Sequence, residues 1–234
     1  MSTRSEPCSG SSGRGAGDPG VATLEAMAEE DEKGSVGPDG ESAEERAERI
    51  RRRDVAMSRI VQFGDPLLKS RASEIGTFGE GLEAEAAEMV ELMRDAWGVG
   101  LAATQLGRLR RILVFEPTGE QAPTALVNPE VEWLSDETDV MAEGCLSIPG
   151  IAVEVERPLA GRFRGRDLGG EPVLLELEGL SARILQHEID HLDGVLILDR
   201  TTPEHRRAAL GALRRGETWS PPESEGEAAE EALA

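Results

Sequence analysis

The part of the chain that can form a hydrophobic core is bounded on both sides by polar sequence. Residues 1 to about 42 are largely Gly, Ser, Glu and Asp, with almost no aromatic or β-branched side chains. Such a segment cannot bury enough apolar surface to offset the entropy lost on ordering. The last 19 residues are acidic and contain no basic side chain. We therefore expect a disordered acidic extension over residues 1–56, a folded domain over 57–215 and a disordered acidic tail over 216–234.

The segment SAEERAERIRRRD, residues 42–54, lies within the extension. Its composition favours a helix, and Ser42 can cap the start. The apolar face is only one isoleucine wide, and a short helix gains little stability without packing. We predict a solvated helix that frays.

Charge and cysteine content exclude several classes of protein. A formal charge of −21 argues against a surface that binds DNA or an anionic membrane. One of the two cysteines, Cys8, lies in the extension, so no structural disulfide is expected. The chain contains no run of 18 apolar residues, which predicts a soluble cytoplasmic protein.

Two segments have the apolar period of a helix. Residues 81–97 place six apolar side chains on one stripe: Leu82, Ala86, Met89, Val90, Met93 and Trp97. Residues 180–194 show the same period between a serine and a glycine.

Strands are predicted between these two helices. β-Branched and aromatic residues favour strands over 111–117, 124–134 and 152–158. Residues 160–179 alternate around the turn sequence DLGG, which indicates a hairpin. This order predicts an α+β fold, with antiparallel or mixed strands packed around a C-terminal helix.

That final helix carries QHEIDH, residues 186–191. Residues four apart lie above one another on a helix, so His187 and His191 can point ring nitrogens at one metal ion. Glu188 is rotated by about a third of a turn, which places it where a general base for an activated water belongs. The chain has only three histidines, so the spacing is a specific signal for a metal site.

A third protein ligand is needed to complete such a site. Metalloproteases with HExxH take it from a downstream Glu or His, but neither Asp193, Glu204 nor His205 continues a protease motif. Upstream, AEGCLSIPG holds Cys145, the only cysteine in the region expected to fold. A buried cysteine is usually a small apolar side chain. Between Gly144 and a Ser-Ile-Pro turn, however, it can present a thiolate at a strand end and complete a tetrahedral site with water.

A third block, GVGLAATQLG, begins at Gly98. Alone this block is weak evidence for a function, because its glycines lack the spacing of a dinucleotide-binding site. Taken in order, however, GVGLAATQ, EGCLS and QHEIDHLDG resemble the peptide deformylases. The similarity covers residues 57 to about 205 and includes IVQFGDPLLKSRA, with Phe63-Gly64 where Tyr-Pro is common.

The resemblance implies a bacterial, cytoplasmic, metal-dependent hydrolase. Its substrates would be nascent polypeptides that begin with formylmethionine, and formate would be released. It implies one divalent metal, typically Fe²⁺ with Ni²⁺, Co²⁺ or Zn²⁺ able to substitute, held by Cys145, His187 and His191. Glu188 would pass a proton from the attacking water to the leaving amine. The oxyanion would be met by the amide of Gln105 and the backbone N–H of Leu146.

The resemblance also locates the substrate. The backbone of Val99-Gly100 on one side and of Gly144 on the other would pair with an extended peptide. The methionine side chain would occupy a pocket lined by Gly98, Gly100, Glu143, Ile184 and His187. Asp190 would bond near the histidines, with Arg157 as its partner.

Two other functions stay open at this point. One is a zincin-type protease, whose metal would not depend on Cys145. The other is a catalytically inactive protein that binds at the ribosome. Residues 203–215 form a basic stripe on an acidic chain and predict a transient ribosome contact, although the acidic residues of 217–234 can neutralise the same arginines.

The similarity opens at Met57, and the residues before it carry no motif. Ser58 is compatible with removal of an initiator methionine. We therefore expect translation to start at Met57, so that a chain beginning there matches the full chain in stability and rate. The alternative is a genuine disordered extension with a regulatory or targeting role.

Overall fold

A computed structural model describes residues 42–118 and 122–222 of the chain, which divides into two compact units, Met1–Arg46 and Ala47–Ala234. Of the first unit, residues 42–46 are described. There the Glu45 N–H donates to Ser42 Oγ at 3.2 Å, and the Ser42 N–H donates to Glu45 Oε2 at 2.8 Å. This reciprocal pair confirms the helix start predicted at Ser42. The disorder expected for residues 1–41 and 223–234 lies outside the described residues, as does Cys8.

Five α-helices and seven β-strands form the described part of the chain. The helices are α1 (Ala43–Ser58), α2 (Glu80–Asp95), α3 (Gly179–Leu192), α4 (Ile197–Arg200) and α5 (Pro203–Arg215). The strands are β1 (Gly100–Ala102), β2 (Ile112–Phe115), β3 (Thr124–Leu134), β4 (Thr138–Gly144), β5 (Ala152–Pro158), β6 (Ala160–Arg166) and β7 (Pro172–Glu178). None of these helices is long and apolar enough to cross a lipid bilayer.

The strands form two antiparallel sheets. One has the order β1-β2-β3-β6-β7, and the other consists of β4 and β5. The predicted hairpin over 160–179 is β6 and β7, and its turn is made by Gly170 with a φ of 92°. The α+β class predicted from the sequence is confirmed.

The five-stranded sheet lies between α2 and α3. Strand β2 is buried on both faces: Ile112 and Val114 pack with α2, whereas Leu113 and Phe115 pack with α3. Successive side chains of a strand point to opposite faces, so a strand apolar at every position needs a cover on each side. The sheet therefore carries α3, the predicted metal-binding helix, on one of its two buried faces.

Helix α2 buries four side chains of its predicted stripe, Leu82, Ala86, Met89 and Met93. The prediction was wrong for Trp97. The helix ends at Asp95, Trp97 has a φ of 63°, and its side chain is 50% exposed. A residue in the left-handed conformation leaves the helical path, so its side chain no longer follows the stripe.

The end of α3 is fixed by the packing of a loop. Gly194 follows the helix with a φ of 74°, and a Cβ there would lie 2.7 Å from the carbonyl oxygen of Lys69. The Ala72 N–H donates to the Leu192 carbonyl at 2.8 Å. Only glycine combines this backbone conformation with so close an approach, so the segment before α2 holds the last turn of α3 in place.

Strand β4 has no counterpart among the strands predicted from the sequence.

The structure differs from the predicted tail at residues 216–222. The Trp219 N–H donates to the Gly150 carbonyl at 2.9 Å, and the Trp219 carbonyl accepts from the Ala152 N–H at 2.8 Å. The indole packs edge-on against His205, with ring centroids 5.3 Å apart. These residues therefore extend the sheet beyond β5.

Helix α1 crosses the predicted domain boundary at residue 57. Ala56 is 1% exposed and belongs to the cluster that α2 forms with the sheet. Arg52 pairs with Asp95 at the end of α2, and Arg53 stacks on the Trp97 ring at 4.6 Å. The described residues before 57 are therefore helical and packed, whereas the division of the chain at 57 stays a prediction.

The sequence alone predicts equal stability for a chain that starts at Met57. Because α1 packs against the fold, we instead expect that chain to be less stable than one starting at Ala47, by about 1–3 kcal/mol. The shorter chain loses the burial of Ala56, two cation–π contacts to Trp97 and a surface ion pair, each worth about 1 kcal/mol or less. Urea unfolding of the two purified proteins measures the difference. Equal midpoints and slopes would show that α1 contributes nothing to the fold.

Candidate metal centre

Strand β4 and helix α3 bring three candidate ligands together. Strand β4 ends at Gly144, so Cys145 follows at the strand end as predicted. His187 and His191 lie one turn apart on α3, with ring centroids 4.9 Å apart. The ligand atoms of Cys145, His187 and His191 all lie within 4.8 Å of one another. Cys145 Sγ and His191 Nε2 are 3.2 Å apart.

This donor set fits one divalent metal ion. Metal bonds of about 2.0–2.3 Å to sulfur and imidazole nitrogen can reach donors separated by such distances. A thiolate with two imidazoles suits Fe²⁺, Co²⁺, Ni²⁺ and Zn²⁺ better than Mg²⁺ or Ca²⁺, which prefer oxygen ligands. Three protein ligands also leave a coordination position for water or substrate, as in catalytic sites.

The carboxylate of Glu143 orients His187. Its Oε2 accepts a hydrogen bond from His187 Nδ1 at 3.0 Å. Arg157 donates to both carboxylate oxygens, at 2.7 and 2.9 Å, and Arg183 Nη1 donates to Oε1 at 2.7 Å. Burial alone would raise the pKa of Glu143, but the hydrogen bonds from His187 and Arg157 outweigh it and lower that pKa to about 2. Because Glu143 is ionised, the proton of His187 sits on Nδ1 and leaves Nε2 for a metal.

A second buried carboxylate extends the network. Arg157 Nη1 donates to Asp190 Oδ2 at 2.9 Å, which confirms the predicted partnership. Arg200 of α4 donates to the same carboxylate at 2.5 and 3.1 Å. Arg157 therefore joins β5 to β4 through Glu143 and to α3 through Asp190, one residue before His191.

Glu188 lies against the backbone of β1. A Cβ on Gly100 would lie 2.3 Å from Glu188 Oε1, so only glycine leaves room for this carboxylate. Its Oε2 is buried without a hydrogen-bond partner among the described residues. Burial raises the pKa of Glu188 to about 7, although the charges of His187 and Arg157 act to lower it. A carboxyl group with a pKa near neutrality can both accept and release a proton at physiological pH.

Gln105 turns its amide nitrogen towards the thiol. The Gln105 Oε1 accepts from the Ala102 N–H at 2.9 Å, and this bond fixes which end of the amide faces the site. Its Nε2 is 3.3 Å from Ser147 Oγ and 3.8 Å from Cys145 Sγ. Leu146 follows Cys145 directly and borders the same cavity.

Cys145 and His187 line a cavity of about 810 Å³, and the third candidate ligand, His191, is buried beside Cys145. Of the residues predicted to bind substrate, the ones that line it are Val99, Gly100, Glu143, Gly144 and Ile184. Gly98 does not line the cavity. A Cβ there would lie 2.8 Å from Leu146 Cδ1, so Gly98 packs behind the wall instead. The structure thus brings together all the predicted site residues except Gly98.

Several residues of the site were missed from the sequence. Arg183 lies four residues before His187, so helical spacing alone could have placed it on the face of the histidines. No local pattern marks Arg200, or the wall formed by Thr218, Trp219 and Ser220. Arg53 and Met57 of α1 also line the cavity, although Arg53 belongs to the segment 42–54 that was predicted to be a solvated helix.

Comparisons with known proteins agree with this geometry. The family model described as polypeptide deformylase matches residues 57–207. Peptide deformylase 1 of Corynebacterium glutamicum is 44% identical over 162 residues, which cover 68% of this chain and 96% of that protein. The crystal structure of peptide deformylase from Thermotoga maritima is 46% identical, with a TM-score of 0.60 over 62% of this chain and 97% of that one. Arabidopsis thaliana peptide deformylase 1B is 39% identical, with a TM-score of 0.63 over 67% of this chain and 90% of that one. The chain therefore belongs to the polypeptide deformylase family.

Proposed function

We propose how this chain performs the reaction of its family, the hydrolysis of the formyl group from the N-terminal formylmethionine of nascent polypeptides. One observation carries the proposal: the donor atoms of Cys145, His187 and His191 lie within 4.8 Å of one another, beside the buried carboxylate of Glu188. Water and the formyl amide are consumed, and formate and a free amine are produced.

Cys145, His187 and His191 would hold the metal, which we propose to be Fe²⁺, with Ni²⁺, Co²⁺ or Zn²⁺ able to replace it. When bound, such an ion acts as a Lewis acid on the formyl carbonyl and lowers the pKa of a water. Glu143 keeps Nδ1 of His187 protonated, which leaves the opposite nitrogen free for the ion.

Glu188 moves the proton. Its position against Gly100 places the carboxylate at the cavity wall, and its pKa near 7 suits both directions of transfer. The carboxylate takes a proton from the attacking water and delivers it to the nitrogen that leaves. The nitrogen departs as a neutral amine, which is a far better leaving group than an amide anion.

Gln105 and Leu146 stabilise the negative oxygen that develops on the formyl carbon. The Gln105 amide is held with its nitrogen towards Cys145, and the Leu146 backbone N–H is the second donor. Donors fixed in advance reorganise little as the charge develops, which is why they lower the barrier.

The peptide lies in the cavity as an added strand. Val99 and Gly100 border it on one side and Gly144 on the other, so backbone groups can pair with a chain of any sequence. The methionine side chain occupies the pocket at Gly100, Glu143, Ile184 and His187, with Gly98 behind it. Recognition through backbone suits an enzyme whose substrates share only their first residue.

We further propose that the protein works in the bacterial cytoplasm and contacts the ribosome through α5. Arg206, Arg207, Arg214 and Arg215 are exposed. Arg206 and Arg215 form ion pairs with Asp199 and Glu217, whereas no carboxylate within residues 42–118 and 122–222 forms an ion pair with Arg207 or Arg214. Phosphate groups of rRNA are a fitting partner for such side chains.

We expect Cys145→Ser to lose most of its bound metal, because a hydroxyl replaces a thiolate ligand. Cys8→Ser is the control and should keep the metal and activity of the wild type. Metal per protein, measured by plasma emission spectrometry, compares the three proteins. Full metal content in Cys145→Ser would remove Cys145 from the ligand set.

We expect Glu188→Gln to keep its metal and to lose about 10²–10⁴-fold or more in formate release, because proton transfer is lost. Gln105→Leu should lose about 10²–10³-fold, as for one oxyanion donor. The assay follows formate from a formyl-Met-Ala-Ser peptide. Wild-type turnover by Glu188→Gln would remove Glu188 from the mechanism.

We expect the double substitution of Arg207 and Arg214 by Gln to weaken co-sedimentation with ribosomes at low salt. The slope of log affinity against log salt should fall by about 1–2, because two phosphate contacts are lost. Deformylation of a free peptide should not change, since neither side chain lines the cavity. Unchanged sedimentation would exclude α5 as the contact.

A further inference from the structure

One wall of the cavity includes residues of helix α1. Arg53 and Met57 of α1 line the cavity together with Trp97 and Val99. Arg53 precedes residues 57–207, which match the family model. It therefore lies outside the part of the chain that the family model matches.

Arg53 is held by the indole of Trp97. The guanidinium carbon lies 4.6 Å from the ring centroid, and the neighbouring Arg49 lies at 4.9 Å from the same ring. The half-exposed indole presents its face because Trp97 leaves the helical path with a φ of 63°. Stacking fixes the position of a guanidinium but leaves its N–H donors unused.

The guanidinium of Arg53 forms no hydrogen bond or ion pair with any of the described residues. Its Nε is buried without a hydrogen-bond partner within residues 42–118 and 122–222, and no carboxylate there forms an ion pair with it. Arg183, the other arginine of the cavity, instead donates to Glu143 and to the Val155 carbonyl. Of the two, Arg53 is the one whose guanidinium is not paired with a carboxylate of the described residues.

A bound peptide would pass Arg53. Val99 and Gly100, the proposed pairing edge, follow Trp97 by two and three residues along the chain. An extended peptide advances about 3.3 Å per residue along such an edge. Residues after the formylmethionine therefore run from the metal ligands towards the wall that Arg53 forms.

We propose that Arg53 binds a carboxylate on the nascent peptide downstream of its formylmethionine, and so gives the enzyme a preference for acidic early sequence. This inference rests on the proposed deformylase function. A chain with a formal charge of −21 repels acidic peptides at long range. A planar guanidinium at the wall counters that repulsion with paired N–H donors that match a carboxylate.

The experiment compares formyl-Met peptides that carry Glu, Gln or Lys at the second, third or fourth residue, with formyl-Met-Ala-Ser as the neutral reference. Each is assayed with the metal-loaded wild type, Arg53→Gln, Arg53→Lys and Arg51→Gln. Arg51 lies on the same helix, is 62% exposed and pairs with Glu48. Its substitution changes the net charge as Arg53→Gln does, without touching the cavity.

We expect the wild type to favour Glu over Lys at one or more positions by about three- to tenfold in kcat/KM, the size of one partly exposed charge pair. The preference should act through KM, weaken with salt, disappear in Arg53→Gln and persist in part in Arg53→Lys. Arg51→Gln should behave as the wild type with every peptide, and Arg53→Gln should lose more kcat/KM with the Glu peptides than with the neutral peptide.

Three results would overturn the inference. The first is a wild type without a preference at any position. The second is an Arg53→Gln protein that keeps the preference. The third is an Arg51→Gln protein that loses the preference to the same extent as Arg53→Gln. In each case, turnover of the neutral peptide leaves the deformylase function standing. Absence of turnover with the neutral peptide would instead remove the proposed function, and this inference with it.

Discussion

The buried carboxylate of Glu143 is the interaction on which the site depends. It receives hydrogen bonds from Arg157 on β5, and from Arg183 and His187 on α3. A buried ion pair offsets its desolvation only when each partner is present, and loss of one partner typically costs about 3–5 kcal/mol. The two-stranded sheet and the metal-binding helix are therefore coupled, because neither can shift without leaving a buried charge unpaired.

The fold holds α3 and Glu188 in the positions that the hydrogen bonds of Glu143 require. The five-stranded sheet buries one side of α3, so the helix cannot rotate its histidines away from Cys145. Gly100 leaves the space that Glu188 occupies, and Gly194 lets the loop after α3 meet Lys69 closely. These two glycines are places where the backbone itself shapes the site, and any side chain would displace either the carboxylate or the helix end.

Much of this arrangement can be predicted from the sequence. The rest cannot, and the reasons are physical. The period of 3.6 places His187 and His191 on one face, and the alternation around DLGG gives the hairpin, because both signals are local. The exposure of Trp97 was not predicted, because a single residue in the left-handed conformation leaves no periodic pattern in the sequence. The pairing of Trp219 was not predicted either, because it is an isolated bridge and not part of a strand. Arg53 was missed because its role depends on packing between α1 and the residues after α2, which are distant in sequence. The assignment of roles to the individual site residues remains a prediction.

The central claim is that Glu143 and α3 hold three side chains around one ion. Crystals of the metal-loaded protein, measured at the absorption edge of the metal, test it most directly. The account predicts a single anomalous peak about 2.0–2.3 Å from Cys145 Sγ and from one ring nitrogen each of His187 and His191, with His187 Nδ1 still on Glu143. A peak elsewhere, or one bound by the histidines with Cys145 Sγ out of bonding distance, would contradict it.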